Sequence, residues 1–245
     1  MKFLYIFLIT FTAYAANTDF HPVTSIKSRT IKKGTIAFNR SPLGNINSTF
    51  LVNTLNYGAF SRFEIGTAPL FYTSKDHKYN YVLKLNFWKS DWIDWSLAYG
   101  ETRFRTHITY TNGEKENPDM ILESSQLALN LHPPEKKYSI GLFYTFITGQ
   151  INSKNIFVLA SSLKYQREYG MDIQYQVKEN QWLTLGLANL RDTGISPYEN
   201  TSNGVGGAYT WFREKQLLSR PSVGIYQSFK GEVQLLFATT FYEEK

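Results

Sequence analysis

The chain has 245 residues, of which 42% are hydrophobic and 16% aromatic, with a formal net charge of +6 and no cysteine. Its length fits one domain, and the missing cysteines exclude disulfides, thiolate metal sites and a lipid-modified N-terminal cysteine. The basic residues are scattered and not gathered in a patch, so a solvated surface accounts for most of them and nucleic acid is not an expected partner.

In chain order, Lys2, the apolar run 3–11 and Ala13-Tyr14-Ala15 have the layout of a secretory signal with cleavage before Ala16. That run is far short of the roughly 20 residues a spanning helix needs. Residues 16–32 lack alternation and are expected to form a periplasmic lead-in. One β domain is then expected over 33–245, because the remaining chain is a series of period-two segments parted by turn residues, with no helical stripe.

Strands are expected over 34–39, 49–57 and 62–69. The pattern then sharpens, with Tyr79, Tyr81, Leu83, Leu85 and Phe87 opposite Asn80, Val82, Lys84 and Asn86. Next, Ile93, Trp95, Leu97 and Tyr99 oppose Asp94, Ser96 and Ala98. Gly100 predicts a bulge, after which Phe104, Ile108 and Tyr110 share the outer face. The polar stretch 111–118 reads as a surface loop. Leu127, Leu129 and Leu131 pass through a proline turn to Tyr138, Ile140, Leu142, Tyr144 and Phe146. Further segments fall at 157–165, 171–177, 183–189, 205–213, 223–229 and 232–242. These make thirteen candidates, and a barrel with both termini on one side needs an even number. The conflict lies between Ile156 and Val177, and twelve strands are expected, with ten as the alternative.

The last segment places Val233, Leu235, Phe237, Thr239 and Phe241 on one face, and Gln234, Leu236, Ala238 and Thr240 on the other. An apolar face backed by a mixed one, close to the chain terminus, resembles the closing strand of bacterial outer-membrane β-barrels, a porin-like resemblance with no narrower family identified. In that family the final strand ends in an aromatic residue read by the assembly machinery. Phe241 or Tyr242 would serve here, although Glu243, Glu244 and Lys245 follow. The resemblance implies an all-β, antiparallel up-and-down transmembrane barrel in the outer membrane, with outer-membrane lipid and the barrel-assembly machinery as partners; oligomeric state is left open. The 17 Tyr and 18 Phe suit rings gathered at two membrane interfaces.

Function would then be written on the inner face. Arg62, Glu64, Lys84, Asp94, Lys164 and Asp172 fall on the polar phase and are the candidate lumen-facing residues. They would either line a narrow water path or pair with one another to fill the barrel. Gly186, Gly204, Gly206, Gly207 and Ala208 leave room on the late strands. Catalysis has little support. His21, His77 and His132 read as exposed loop residues, and His107 is a strand histidine without a serine partner. No metal-ligand spacing is present, and no cofactor is expected. The expected function is a small passive pore or a structural envelope protein, not an enzyme. The alternatives are a filled barrel that binds through its surface loops, among them 112–118 and 197–200, and a soluble periplasmic barrel with an apolar interior for a lipid-like ligand.

Overall fold

The structure, a computed structural model, describes residues 30, 33–34, 36–45, 48–133, 137–154, 166–178, 181–191, 201–211, 218–231 and 233–243. The expected signal (1–15), all of the expected lead-in but residue 30, and the candidate strand 157–165 with Lys164 lie outside them. The strands are β1 (Ile36–Asn45), β2 (Ser48–Phe60), β3 (Phe63–Thr67), β4 (His77–Lys89), β5 (Ile93–Arg105), β6 (Ile108–Thr109) and β7 (Lys115–Glu116). They continue with β8 (Asp119–Leu131), β9 (Tyr138–Ile151), β10 (Gln166–Lys178), β11 (Gln181–Arg191), β12 (Thr201–Trp211), β13 (Leu218–Ser228) and β14 (Val233–Glu243). A 3-10 helix, Pro69–Thr73, joins β3 to β4.

Twelve of these strands form one closed antiparallel barrel, and β6 pairs with β7 as a separate hairpin. Closure satisfies backbone groups that hydrocarbon would leave unpaired. The parity conflict resolves because Gln166–Lys178 is a single strand between β9 and β11. Both termini therefore leave from one rim, which has the short connections 61–62, 90–92, 132–137, 179–180 and 212–217. The opposite rim has the two short connections 46–47 and 229–232 and the four longer ones 68–76, 106–118, 152–165 and 192–200. Short turns mark the periplasmic rim and long loops the extracellular one.

Alternation sets the chemistry of the wall. On the inner side Asn80, Lys84, Asn86, Asp94, Ser96, Gln126, Asn130 and Gln174 are buried, while Leu85, Phe87, Leu97, Leu127, Leu142, Ile173 and Leu185 are exposed outside. This is polar inside and apolar outside, the reverse of a soluble lipid-carrying barrel and the wall of an outer-membrane barrel. Along β10, Tyr169 to Val177 covers about 27 Å at ~3.4 Å per residue, or about 21 Å of height at a ~40° tilt, near the ~25 Å apolar band of such barrels. Rings frame that band. Trp88, Trp92, Tyr138 and Tyr175 are exposed toward the periplasmic rim, where Phe87 and Trp95 lie 5.5 Å apart. Toward the other rim, Tyr81 lies 6.2 Å from both Tyr79 and Tyr99. There Glu101 accepts hydrogen bonds from Tyr79, from Tyr81 (2.9 Å) and from Tyr99 (3.3 Å), and Tyr99 also donates to Glu123 (2.8 Å). These carboxylates face outward at the membrane edge with tyrosine hydroxyls in place of water.

The bulge expected at Gly100 is absent. β5 keeps unbroken register with β8 from Ile93↔Leu131 to Arg105↔Asp119. The irregularities sit in its other neighbour, β4, at His77/Tyr79 and Asn86/Trp88. Phase is therefore kept, so Thr102 is buried and Phe104 packs inside, not outside. At the seam, among the described residues, β1 pairs with β2 along ten residues and with β14 along five, from Ile36↔Glu243 to Arg40↔Thr239. Pro42, two positions further, has no amide hydrogen to give either neighbour.

Candidate functional site

Pairing places the inner side chains in rows across the strands. One row carries Gly58, Glu64, Lys84, Ala98, Gln126 and Thr145, so Glu64 and Lys84 are direct register partners. Gln126 Nε2 donates to Thr145 Oγ1 at 2.8 Å. A second row carries Asp94, Asn130, Gly141, Asp172 and Gly186. Glu64, Lys84, Asp94 and Asp172 are 2%, 1%, 0% and 1% exposed. Asp172 lies over Gly141, where an added Cβ would stand 2.8 Å from its Oδ1. Small residues on one strand thus make room for polar ones on the next, and the interior is polar and closed to water-sized contact at these side chains.

Other candidates are placed differently. Arg62 occupies the 61–62 turn and is exposed, not on the inner wall, because β3 begins only at Phe63. Lys164 lies outside the described residues. Phe241 and Tyr242 belong to β14, opposite Phe38 and Ala37 of β1 and Ser219 and Leu218 of β13. Gly186, Gly204, Gly206 and Ala208 take inward register positions, whereas Gly207 shares the outward row of Leu185 and Ile225.

Two of the histidines expected in exposed loops are partly enclosed. His132 Nε2 is 2.9 Å from Asp94 Oδ2, and its side chain is 16% exposed. The β5–β8 register, with Asp94 opposite Asn130, brings them together across a long stretch of sequence. His77 Nε2 lies 2.9 Å from Asn80 Nδ2, with the ring edge-on to Tyr72 at 4.5 Å. Asn80 in turn accepts from Thr67 Oγ1 (2.7 Å) and the Ala68 amide (2.6 Å), tying the 3-10 helix segment to the inner wall.

The extracellular mouth holds a feature that the sequence pattern did not predict. Met120, Leu122 and Ile151 form a buried apolar cluster against which Phe104 and Ile108 pack. The even-numbered pair Met120 and Leu122, just ahead of the polar Ser124 and Gln126, was the available signal. Ile108 belongs to the β6–β7 hairpin, which is fixed at its base where Thr106 N and Oγ1 donate to Pro118 O at 2.8 and 3.0 Å. At its side, Glu116 accepts from Ser153 Oγ (2.6 Å), the Lys154 amide (2.7 Å) and Tyr110 Oη. These donors hold the Glu116 carboxyl below its usual pKa, the serine contributing most. His107, which lies in the link before β6 and not in a strand, contacts Asn117 Oδ1 (2.7 Å) and Asp76 Oδ1 (2.9 Å). The bond to Asn117, then that to Asp76, raises its pKa from the ordinary 6.5. Among the described residues no group of three or more His, Asp or Glu could hold a metal ion.

No family model and no curated protein matches the chain. Among solved structures it is similar to the CymD monoaromatic hydrocarbon channel, at 7% identity and a TM-score of 0.44 over 88% of this chain and 89% of that one. It is similar to the outer-membrane protein Omp33 of Acinetobacter baumannii, at 9% identity and a TM-score of 0.44 over 85% and 98%. A third is an outer-membrane channel of Pseudomonas putida F1, at 9% identity and a TM-score of 0.41 over 90% and 99%.

Proposed function

We propose that the chain is a narrow polar channel of the outer membrane, shut in the conformation described, with a preference for small cations. The observation that carries this reading is the inner wall, where polar and charged side chains are turned inward yet almost inaccessible. Among the residues whose side chains are described, its buried charged groups are three carboxylates, Glu64, Asp94 and Asp172, and one ammonium, Lys84. An acidic excess inside a low-dielectric wall concentrates cations and repels anions. At the extracellular end Phe104 and Ile108 pack on Met120, Leu122 and Ile151, and in this reading that apolar contact is the gate that must part on opening. Constrictions of this kind gate by excluding water. The reading assigns no covalent step to any residue. It takes outer-membrane lipid and the assembly machinery as partners, with Phe241 or Tyr242 as the assembly signal.

The refolded protein in planar bilayers provides the test. Wild type is expected to open rarely, and Phe104→Ser with Ile108→Ser to raise open probability at least tenfold. A potassium chloride gradient should give a cation-selective reversal potential that shrinks in Asp172→Asn. Silence from both proteins would remove the channel and leave a filled envelope barrel. The ordered β6–β7 hairpin favours a second reading, in which the barrel presents its extracellular loops to a binding partner. Replacing 107–117 by a glycine-serine linker would then abolish cell-surface binding while the barrel still folds.

A further inference from the structure

The outer wall over β9–β12 is not evenly convex. A groove of about 560 Å³ crosses it from Trp95, near the periplasmic end of β5, to Phe229, in the extracellular turn after β13. Its floor follows the row Phe143, Gly170, Ala188 and Gly204, whose side chains point inward and leave backbone outside. Its two banks are outward rows, Leu142 and Met171 with Leu187 on one side, Tyr144 and Tyr169 on the other. A parallel groove of about 480 Å³ has Asp172, Gly186 and Gly206 as its floor. Met171 and Leu187 line both, so they form the ridge between them. Gly207 opens the far bank of the second groove between Leu185 and Ile225. Two residues separate the grooves along each strand, about 7 Å at ~3.4 Å per residue.

The ends of this surface differ in chemistry. Toward the extracellular rim the first groove reaches Asn203, whose Oδ1 accepts from Asn189 Nδ2 at 2.9 Å and whose carbonyl accepts from the Phe229 amide at 2.7 Å. Exposed Lys230 follows Phe229, and exposed Arg167 stands one outward step above Tyr169 on β10. The same rim over β5 and β8 carries Glu101 and Glu123 instead. A negative headgroup is therefore drawn to Arg167 and Lys230 on the β10–β13 side, whereas the β5–β8 side already pairs Lys78 and Arg103 with Asp119.

We propose that the paired grooves seat one two-chain lipid with a phosphate headgroup, a chain on each side of the Met171–Leu187 ridge and the phosphate near Arg167 and Lys230. Two furrows with a shared ridge match two chains leaving one headgroup. Arg167 and Lys230 at the extracellular end give the phosphate its place, and the charge reversals there test it. The site depends on the fold and not on whether the lumen conducts.

Native mass spectrometry of the detergent-purified protein, mixed with equal phosphatidylglycerol and phosphatidylcholine, tests this. One lipid per barrel is expected to persist, with phosphatidylglycerol favoured at least tenfold. Arg167→Glu with Lys230→Glu should abolish the preference, and Gly207→Leu, which fills the second groove, should cut retention of both lipids. Heat-modifiable gel migration confirms that each variant is folded. Equal retention of the two lipids, or a preference unchanged by the charge reversals, would overturn the proposal. So would a dimer in sedimentation that dissociates in Gly207→Leu, because a second copy would then be the occupant.

Discussion

Gly170→Ala tests how tightly the inner wall is packed. An added Cβ would lie 2.5 and 2.9 Å from Cε1 and Cζ of Phe143 and 3.0 Å from Ala188 Cβ, whereas non-bonded carbons rest at about 3.5–4.0 Å. The Phe143 ring is itself buried, so it has to retreat by about 1 Å against its neighbours. In a roomy strand the exchange gains ~0.5–1 kcal/mol from the backbone and about 0.8 kcal/mol from the buried carbon. Overpacking typically costs ~1–3 kcal/mol, and contact with a ring in place of a flexible chain end belongs at the upper limit, leaving a net loss of about 1 kcal/mol. In a Phe143→Ala background the ring contacts are gone and only the 3.0 Å approach to Ala188 Cβ remains, so the same exchange should turn from a loss to a gain of up to about 1 kcal/mol. Urea titration in lipid vesicles, followed by tryptophan fluorescence, gives all four corners of the cycle. If Gly170→Ala has the same effect in both backgrounds, Phe143 does not cover Gly170 and the packing argument fails.

Four further outcomes are expected. His132→Ala removes the imidazole 2.9 Å from the enclosed Asp94 and should cost about 1–3 kcal/mol, the range for leaving a buried acceptor without its hydrogen bond; His132→Ala with Asp94→Asn should recover part of it, and a single variant as stable as wild type would show that the pair carries no strength. Ile173→Arg, on the exposed face of β10, should cost about 2–4 kcal/mol, and Gln227→Arg, near the rim, about 0–1 kcal/mol; similar losses would argue against the membrane placement. Because the His107 pKa is raised, its contacts to Asp76 and Asn117 are fully present below about pH 6.5 and are lost as pH rises through the raised value. Tryptic cleavage after Lys115 should accelerate over that interval in wild type and be flat in His107→Gln. Finally, Phe241→Ala with Tyr242→Ala should lower the heat-modifiable fraction recovered in outer membranes, and full recovery would move the assembly signal elsewhere.

The strands that the sequence reveals best are those that lipid constrains most. In β4, β5 and β10 the outward positions across the middle of the wall meet hydrocarbon, so period two holds there and Lys84, Asp94 and Asp172 can be assigned inward from phase alone. What phase cannot supply is register. Gly100 reads as a bulge, but a bulge is a relation between two strands, and the offset was taken up by β4. Phe104 was consequently assigned to lipid when it belongs to the mouth cluster, and that apolar cluster went unseen. Arg62 shares the parity of Glu64, yet a turn begins there, because pairing with β4 starts at Phe63↔Leu85. His132 looked like a loop residue for the same reason, since its carboxylate partner is a neighbour only once β5 and β8 are aligned.

The seam between β1 and β14 has a kinetic meaning. The other junctions of the wall join strands that are neighbours in sequence, so their pairing can zip forward as the chain is laid down. This one joins opposite ends of the barrel sequence and carries the largest loop-closure entropy, with five register pairs among the described residues. All twelve strands can therefore join through eleven junctions into a curved sheet before its edges meet, and joining Ile36–Arg40 to Thr239–Glu243 is expected to be the slow last event. Ladders as short occur elsewhere, with four register pairs between β3 and β4 and five between β2 and β3, so what sets the seam apart is the sequence distance it spans and not its length.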